Sequence, residues 1–158
     1  MRQAWIVAVL TFTLVLAAGA YAASDWLKGS PEEKLKTLAE IQPGLGTVMI
    51  EYAGRYTNTY YAAKGGNWDL AAYQLKEARE IQEVGEATRP ERAQALKAFE
   101  TAYLDPLDAA IKAKDFKKFD ASFKAGIQGC NGCHTSQGFA YIRYQLPKAP
   151  ASPLAMTP

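Results

Sequence analysis

The chain has 158 residues, 49% of them hydrophobic and 22% charged, with 18 Lys and Arg against 16 Asp and Glu for a net charge of +2. That length suits one domain with a sizeable core and would crowd two. The near-balance of charge offers nothing that nucleic acid would select.

Residues 1–22 read as a secretory signal peptide. Arg2 supplies the positive start, Trp5 to Leu16 a short apolar run, and Ala20-Tyr21-Ala22 the small-x-small processing site, with cleavage expected after Ala22. The apolar run falls short of the ~20 residues that a spanning helix needs, so no stable membrane insertion is expected after cleavage. The mature chain is then a protein of the periplasm, divided into a helical domain over 23–145 and a proline-rich tail over 146–158.

Ser30-Pro31-Glu32-Glu33 is a helix start, with Ser30 as N-cap, Pro31 in the first turn and Glu33 as the capping-box partner. This short helix should run to about Gln42, before Pro43-Gly44-Leu45-Gly46. The first long helix, about 45–64, carries Met49, Tyr52, Ala53, Tyr56, Tyr60 and Ala63 at helical spacing and ends at Gly65-Gly66. Asn67 caps a second, whose rows are Trp68, Ala71, Ala72, Leu75 and Ala78, and Leu70, Ile81 and Val84; it should fade near Gly85. Thr88-Arg89-Pro90-Glu91 repeats the capping-box pattern before a third helix with Leu96, Phe99, Tyr103, Leu107 and Ile111 inward. Pro106 falls inside it and predicts a kink or break near Asp105-Pro106.

Asp115 caps the last helix, whose stripe Phe116, Phe119, Phe123 and Ile127 continues in register into Cys130 and His134. Both cysteines and the one histidine of the chain lie in Cys130-Asn131-Gly132-Cys133-His134. The pattern is C-x-x-C-H, the attachment sequence of a c-type haem. On a helix the thiols of Cys130 and Cys133 share one face, ready for the two vinyl groups of a porphyrin edge, and His134 rises beside them as proximal iron ligand. A redox dithiol would want a strand-helix-strand setting, and none surrounds the motif. Structural zinc would lack its fourth protein ligand. A disulfide across two residues closes almost no loop and leaves His134 unexplained.

With no second histidine, the sixth iron position falls to Met49, Met156, a lysine, a tyrosine or nothing. Met49 is the expected distal ligand, being on the apolar face of the first long helix, whereas Met156 lies in a tail expected to be extended and mobile. Tyr52, Tyr56 and Tyr60 are expected as core with their hydroxyls at the rim, and Trp68 as a packing anchor. Arg55, Lys64 and Arg143 are candidate propionate partners, each more readily read as a solvated charge.

Four helices with C-x-x-C-H on the last resemble the class II c-type cytochromes, the cytochrome c′ family and its low-spin, methionine-ligated relatives. The resemblance covers about Leu45 to Gly138. It rests on the order of parts, since nearly all of the mature chain precedes Cys130, and on the position of Met49. Departures are the extra helix at 31–42 and the lack of a basic residue shortly after His134. The resemblance implies an all-α fold, a four-helix bundle with haem c on its last helix plus a short extra N-terminal helix. It also implies a one-electron carrier with His134/Met49-ligated iron, not an enzyme, serving redox partner proteins of the periplasm, with homodimer formation left open. The alternative is a five-coordinate gas-binding protein of the cytochrome c′ type for NO or CO. A small haem enzyme such as a peroxidase would need a distal acid or base, and no other histidine provides one.

Overall fold

The computed structural model describes residues 27–150 and 152–158; the expected signal peptide lies outside them. Among the described residues every regular element is helical and there is no strand, so the fold is all-α. Nor is any helix there long and apolar enough to cross a membrane. The chain divides at Gln42/Pro43 into two units.

The first unit holds α1, Pro31–Glu40, which begins as expected. The Ser30 hydroxyl accepts from the Glu33 amide at 3.2 Å while the Ser30 amide donates to the Glu33 carboxylate at 2.6 Å. No residue of α1 is buried.

The second unit holds α2 (Leu45–Lys64), α3 (Trp68–Thr88), α4 (Pro90–Phe99), a π-helical segment (Glu100–Leu104), α5 (Asp105–Lys112) and α6 (Phe116–Ser136). The turn at Gly65-Gly66 makes α2 and α3 a hairpin packed along its length. It is stopped by Gly66 at φ +80° and restarted by Asn67, whose side chain accepts from the Leu70 amide at 3.1 Å. Asp115 caps α6 in the same way, 3.0 Å from the Lys118 amide.

Two boundaries differ from expectation. Helix α3 does not fade at Gly85 but continues to Thr88, because Leu45 and Val48 of α2 press against the space a Cβ would fill there. Thr88 is therefore helical, and its hydroxyl turns back to the Val84 carbonyl at 2.7 Å instead of capping α4. The expected break at Pro106 takes the form of the π segment. Proline lacks an amide hydrogen and clashes with the carbonyl four residues back. Widening the preceding turn, so that the Asp105 amide reaches Glu100, leaves Pro106 harmless in the first turn of α5. Arg79 of α3 holds both sides of this insertion through Glu100 and, at 2.8 Å, Asp105. Leu104, at the end of the π segment, is buried with Leu107 and Ile111 of α5.

The core centres on α2 and α6, which run antiparallel: Tyr60 meets Asp120 and Phe119, and Tyr56 meets Phe123. The Tyr56 and Phe123 rings stack 4.3 Å apart, Tyr52 stacks on Tyr56 at 5.7 Å, and Trp68 anchors edge-on against Phe119 at 6.2 Å. Of the tyrosine row only Tyr60 keeps its hydroxyl at the rim, donating to Asp120 at 3.3 Å. Tyr56 is fully buried and donates to the Phe123 carbonyl at 3.2 Å, correcting the expectation of rim hydroxyls for this residue. That donation needs Gly126, since a Cβ there would overlap the Tyr56 hydroxyl. In an exposed helix, Gly→Ala gains about 1 kcal/mol. Here Gly126→Ala should instead lower stability by about 1–3 kcal/mol through overpacking. Thermal unfolding of Gly126→Ala in a Tyr56→Phe background should show at least half of that cost removed, because the clash is with the hydroxyl.

Candidate functional site

Cys130, Cys133 and His134 extend the buried stripe of α6 beyond Phe119 and Phe123 into its last turns. There they form one wall of an apolar cleft of about 550 Å³, part of it open to solvent, a size ordinary for cofactor sites. Met49, Tyr52 and Ala53 of α2 form another wall, and Gln82 of α3, Leu96 and Phe99 of α4 and Tyr144 complete the lining. Met49 is thus brought to the motif from a distant part of the sequence.

Met156 is not. The tail lies along α2 and ends at the far end of that helix: the Tyr61 hydroxyl donates to Pro147 at 2.6 Å, Asn67 donates to Thr157 at 3.4 Å, and the Met156 backbone rests on Gly65. Met156 packs against the core there, some sixteen helical residues from Met49, or ~24 Å at about 1.5 Å per residue. Where the sequence suggested a mobile tail, the structure docks it through Tyr144, Leu146 and Met156. Intervening prolines lower the entropy that docking costs.

The His134 ring is set by a hydrogen bond, its Nδ1 lying 2.8 Å from the Ile142 carbonyl. A carbonyl only accepts, so Nδ1 carries the proton and Nε2 keeps its lone pair, the tautomer a metal requires. Both cysteines are free thiols. Burial pushes the Cys130 thiol up to about 12, with the nearby Cys133 adding to it, and burial also raises Cys133, partly offset by the Arg92 charge. A dithiol built for exchange needs the reverse, a thiolate stabilised near neutral pH. Among the described residues no three His, Cys, Asp or Glu side chains group to hold a metal ion, so the zinc alternative finds no further protein ligands.

The other polar groups of the cleft are neutral as well. Burial pushes Tyr144 up to about 12, although the hydrogen bond it shares with the Thr57 hydroxyl at 2.9 Å acts the other way. Burial likewise holds Tyr52 well above the ordinary range, and its hydroxyl has no hydrogen-bond partner. Gln82 is buried with its amide donating to Glu86 at 3.2 Å and the Leu96 carbonyl at 3.1 Å. These groups suit a porphyrin tethered at its vinyl edge: two thiols on one helix face, an imidazole with a free Nε2, a thioether in the same apolar cleft and one unpaired buried hydroxyl.

None of the three cations singled out from the sequence lines the cleft. Arg55 pairs with Glu51 at 2.7 Å and reaches Gln74, Lys64 sits 5.9 Å from the centroid of the Tyr61 ring, and Arg143 borders a shallow surface depression with Gln128 and Thr135. The cation that approaches the motif is Arg92, stacked 5.6 Å from the Phe139 centroid and bonded to Gln137. Sequence reasoning also passed over Gln82, Tyr144 and Asn131. Gln82 carries no signal, being a polar residue on a helix. Asn131 could have been noticed as the polar residue inside the motif. No protein-family model matches the chain, and neither does any curated protein or solved structure.

Proposed function

We propose that this chain is a periplasmic monohaem c-type cytochrome that carries single electrons, a four-helix bundle with haem c attached on its last helix. One observation carries the reading: Met49 of α2 lines the same apolar cleft as Cys130, Cys133 and His134 of α6. Cys130 and Cys133 would hold the haem covalently through thioether bonds at its two vinyl groups. His134 would hold the iron through Nε2 while Nδ1–H stays on the Ile142 carbonyl. Met49 would hold the iron through its thioether sulfur from the α2 side of the cleft, the arrangement of a carrier and not of an enzyme. Bound there, haem c supplies a one-electron ferric/ferrous couple. The apolar walls and the protonated Tyr52 and Tyr144 would keep water and charge from the cleft, favouring the reduced state. Redox proteins of the periplasm would be the partners.

A second reading, a five-coordinate gas-binding protein, is favoured by the Tyr52 hydroxyl. Buried without a partner beside Met49, it would donate to a diatomic ligand such as NO or CO bound in place of the thioether.

Attachment is tested by acid-acetone extraction of the purified protein. The haem should stay on the polypeptide in wild type and be released from Cys130→Ser, Cys133→Ser; complete extraction from wild type would refute the assignment. Axial ligation is tested by Met49→Leu, which keeps packing volume and removes the sulfur. Wild type should be low-spin in both oxidation states, show the weak charge-transfer band of thioether-ligated ferric haem and bind carbon monoxide slowly. The variant should lose that band, bind the gas readily and keep its helical circular dichroism. A wild type that is already high-spin would replace the carrier with the gas-binding reading.

A further inference from the structure

We propose that Asn131, the first of the two residues between the motif cysteines, is a positioning residue for the axial histidine. The role rests on the reading of the cleft as a haem c site. Its side-chain amide grips one backbone residue of the segment after α6: the Asn131 carbonyl oxygen accepts from the Tyr144 amide at 2.8 Å, and its Nδ2 donates to the Tyr144 carbonyl at 3.1 Å. The Ile142 carbonyl that takes the His134 Nδ1–H belongs to the peptide unit immediately before the one carrying the Tyr144 amide. Only the two dihedral angles of Arg143 lie between the clamp and the acceptor.

The segment has other ties, but they act farther off or on its first half. The Phe139 amide donates to the His134 carbonyl at 2.7 Å and the Ile142 amide to the Phe139 carbonyl at 2.8 Å, which closes the turn after α6. The Tyr144 hydroxyl meets Thr57 at the far end of its ring. Burial anchors the Tyr144 ring, which meets Tyr56 edge-on at 5.7 Å, but does little between it and the turn, since Tyr141 is 80% and Ile142 47% exposed. The Asn131 clamp is therefore what orients the Ile142 carbonyl toward the imidazole. A histidine whose Nδ1–H is given to a carbonyl is a stronger donor through Nε2, which stabilises ferric over ferrous iron. Asn131 would thus lower the potential that the same haem would have with an unanchored imidazole, and would hold the ring in one rotation.

The test uses the holoprotein. Asn131→Ala should keep covalent haem and helical circular dichroism. Its potential should rise by the equivalent of about a tenfold change in the oxidised-to-reduced ratio, ~59 mV for one electron. Exchange of the His134 Nδ1 proton with solvent, followed by nuclear magnetic resonance, should quicken at least ~10-fold by the same reasoning. Asn131→Asp keeps the acceptor for the Tyr144 amide and loses the donor, so its exchange rate should fall between the two; it also serves if the alanine variant does not fold. Thr57→Val loosens Tyr144 from the other end and should lower the melting temperature while leaving potential and exchange unchanged. The proposal is overturned if Asn131→Ala, or Asn131→Asp in its stead, exchanges the proton at the wild-type rate, or if Thr57→Val moves the potential as far as Asn131→Ala. A wild type without covalent haem, seen directly on extraction, overturns the reading of the cleft and this role together; unchanged values with haem in place overturn this role alone.

Discussion

Tyr56 seated against Phe123 and Gly126 is the contact on which the rest of the second unit depends. It joins residues 67 apart in the sequence, and it fixes both the separation of α2 and α6 and their relative register. Because the two helices are antiparallel, one step toward the start of α2 corresponds to one step toward the end of α6. Two helical turns before Tyr56 stands Met49, and two turns beyond Gly126 stands Cys133. A register slip of one turn at the Tyr56 stack would carry Met49 away from the motif. The stack is also hard to slip, since the Tyr56 hydroxyl is keyed to one carbonyl and one glycine. Stacked aromatic pairs of this kind contribute about 0.5–1.5 kcal/mol beyond area burial.

The change from closed core to open cleft follows from side-chain size along the same two faces. From Tyr60 to Tyr52 on α2 and from Phe119 to Phe123 on α6 the faces offer rings, which fill the space between helices. Past Tyr52 they offer Met49 on α2, and Gly129, Cys130 and Cys133 on α6, which do not. On the third side α4 brings Phe99 to the cleft and the π segment sets Tyr103 against Gly129. The cleft that results is apolar, and burial holds Tyr52, Cys130 and Tyr144 in their neutral forms.

The segment after α6 closes the arrangement from outside the helices. It crosses from the motif, where Asn131 and His134 hold its backbone, to α2, where Thr57 and Tyr61 hold Tyr144 and Pro147. From there it follows α2 to the Gly65 turn. A segment without helix or strand must place its backbone polar groups somewhere, and here part of that task falls to motif side chains.

The sequence by itself determined what depends on a few neighbouring residues. The caps at Ser30, Asn67 and Asp115 and the stripes of α2 and α6 are legible because a helix repeats every 3.6 residues and its ends are satisfied by side chains three positions away. The motif at 130–134 is legible for the same reason, since its chemistry is contained in five consecutive residues. Only the tertiary structure decided which methionine lies beside the motif, because the choice between Met49 and Met156 depends on where two remote segments dock. Nor could local pattern show that Gln82 turns inward, that Pro106 is accommodated by a π segment, or that Asn131 reaches Tyr144. Each of these is settled by burial against elements far away in the chain, where the free energy of packing outweighs local preference and leaves no mark on nearby residues.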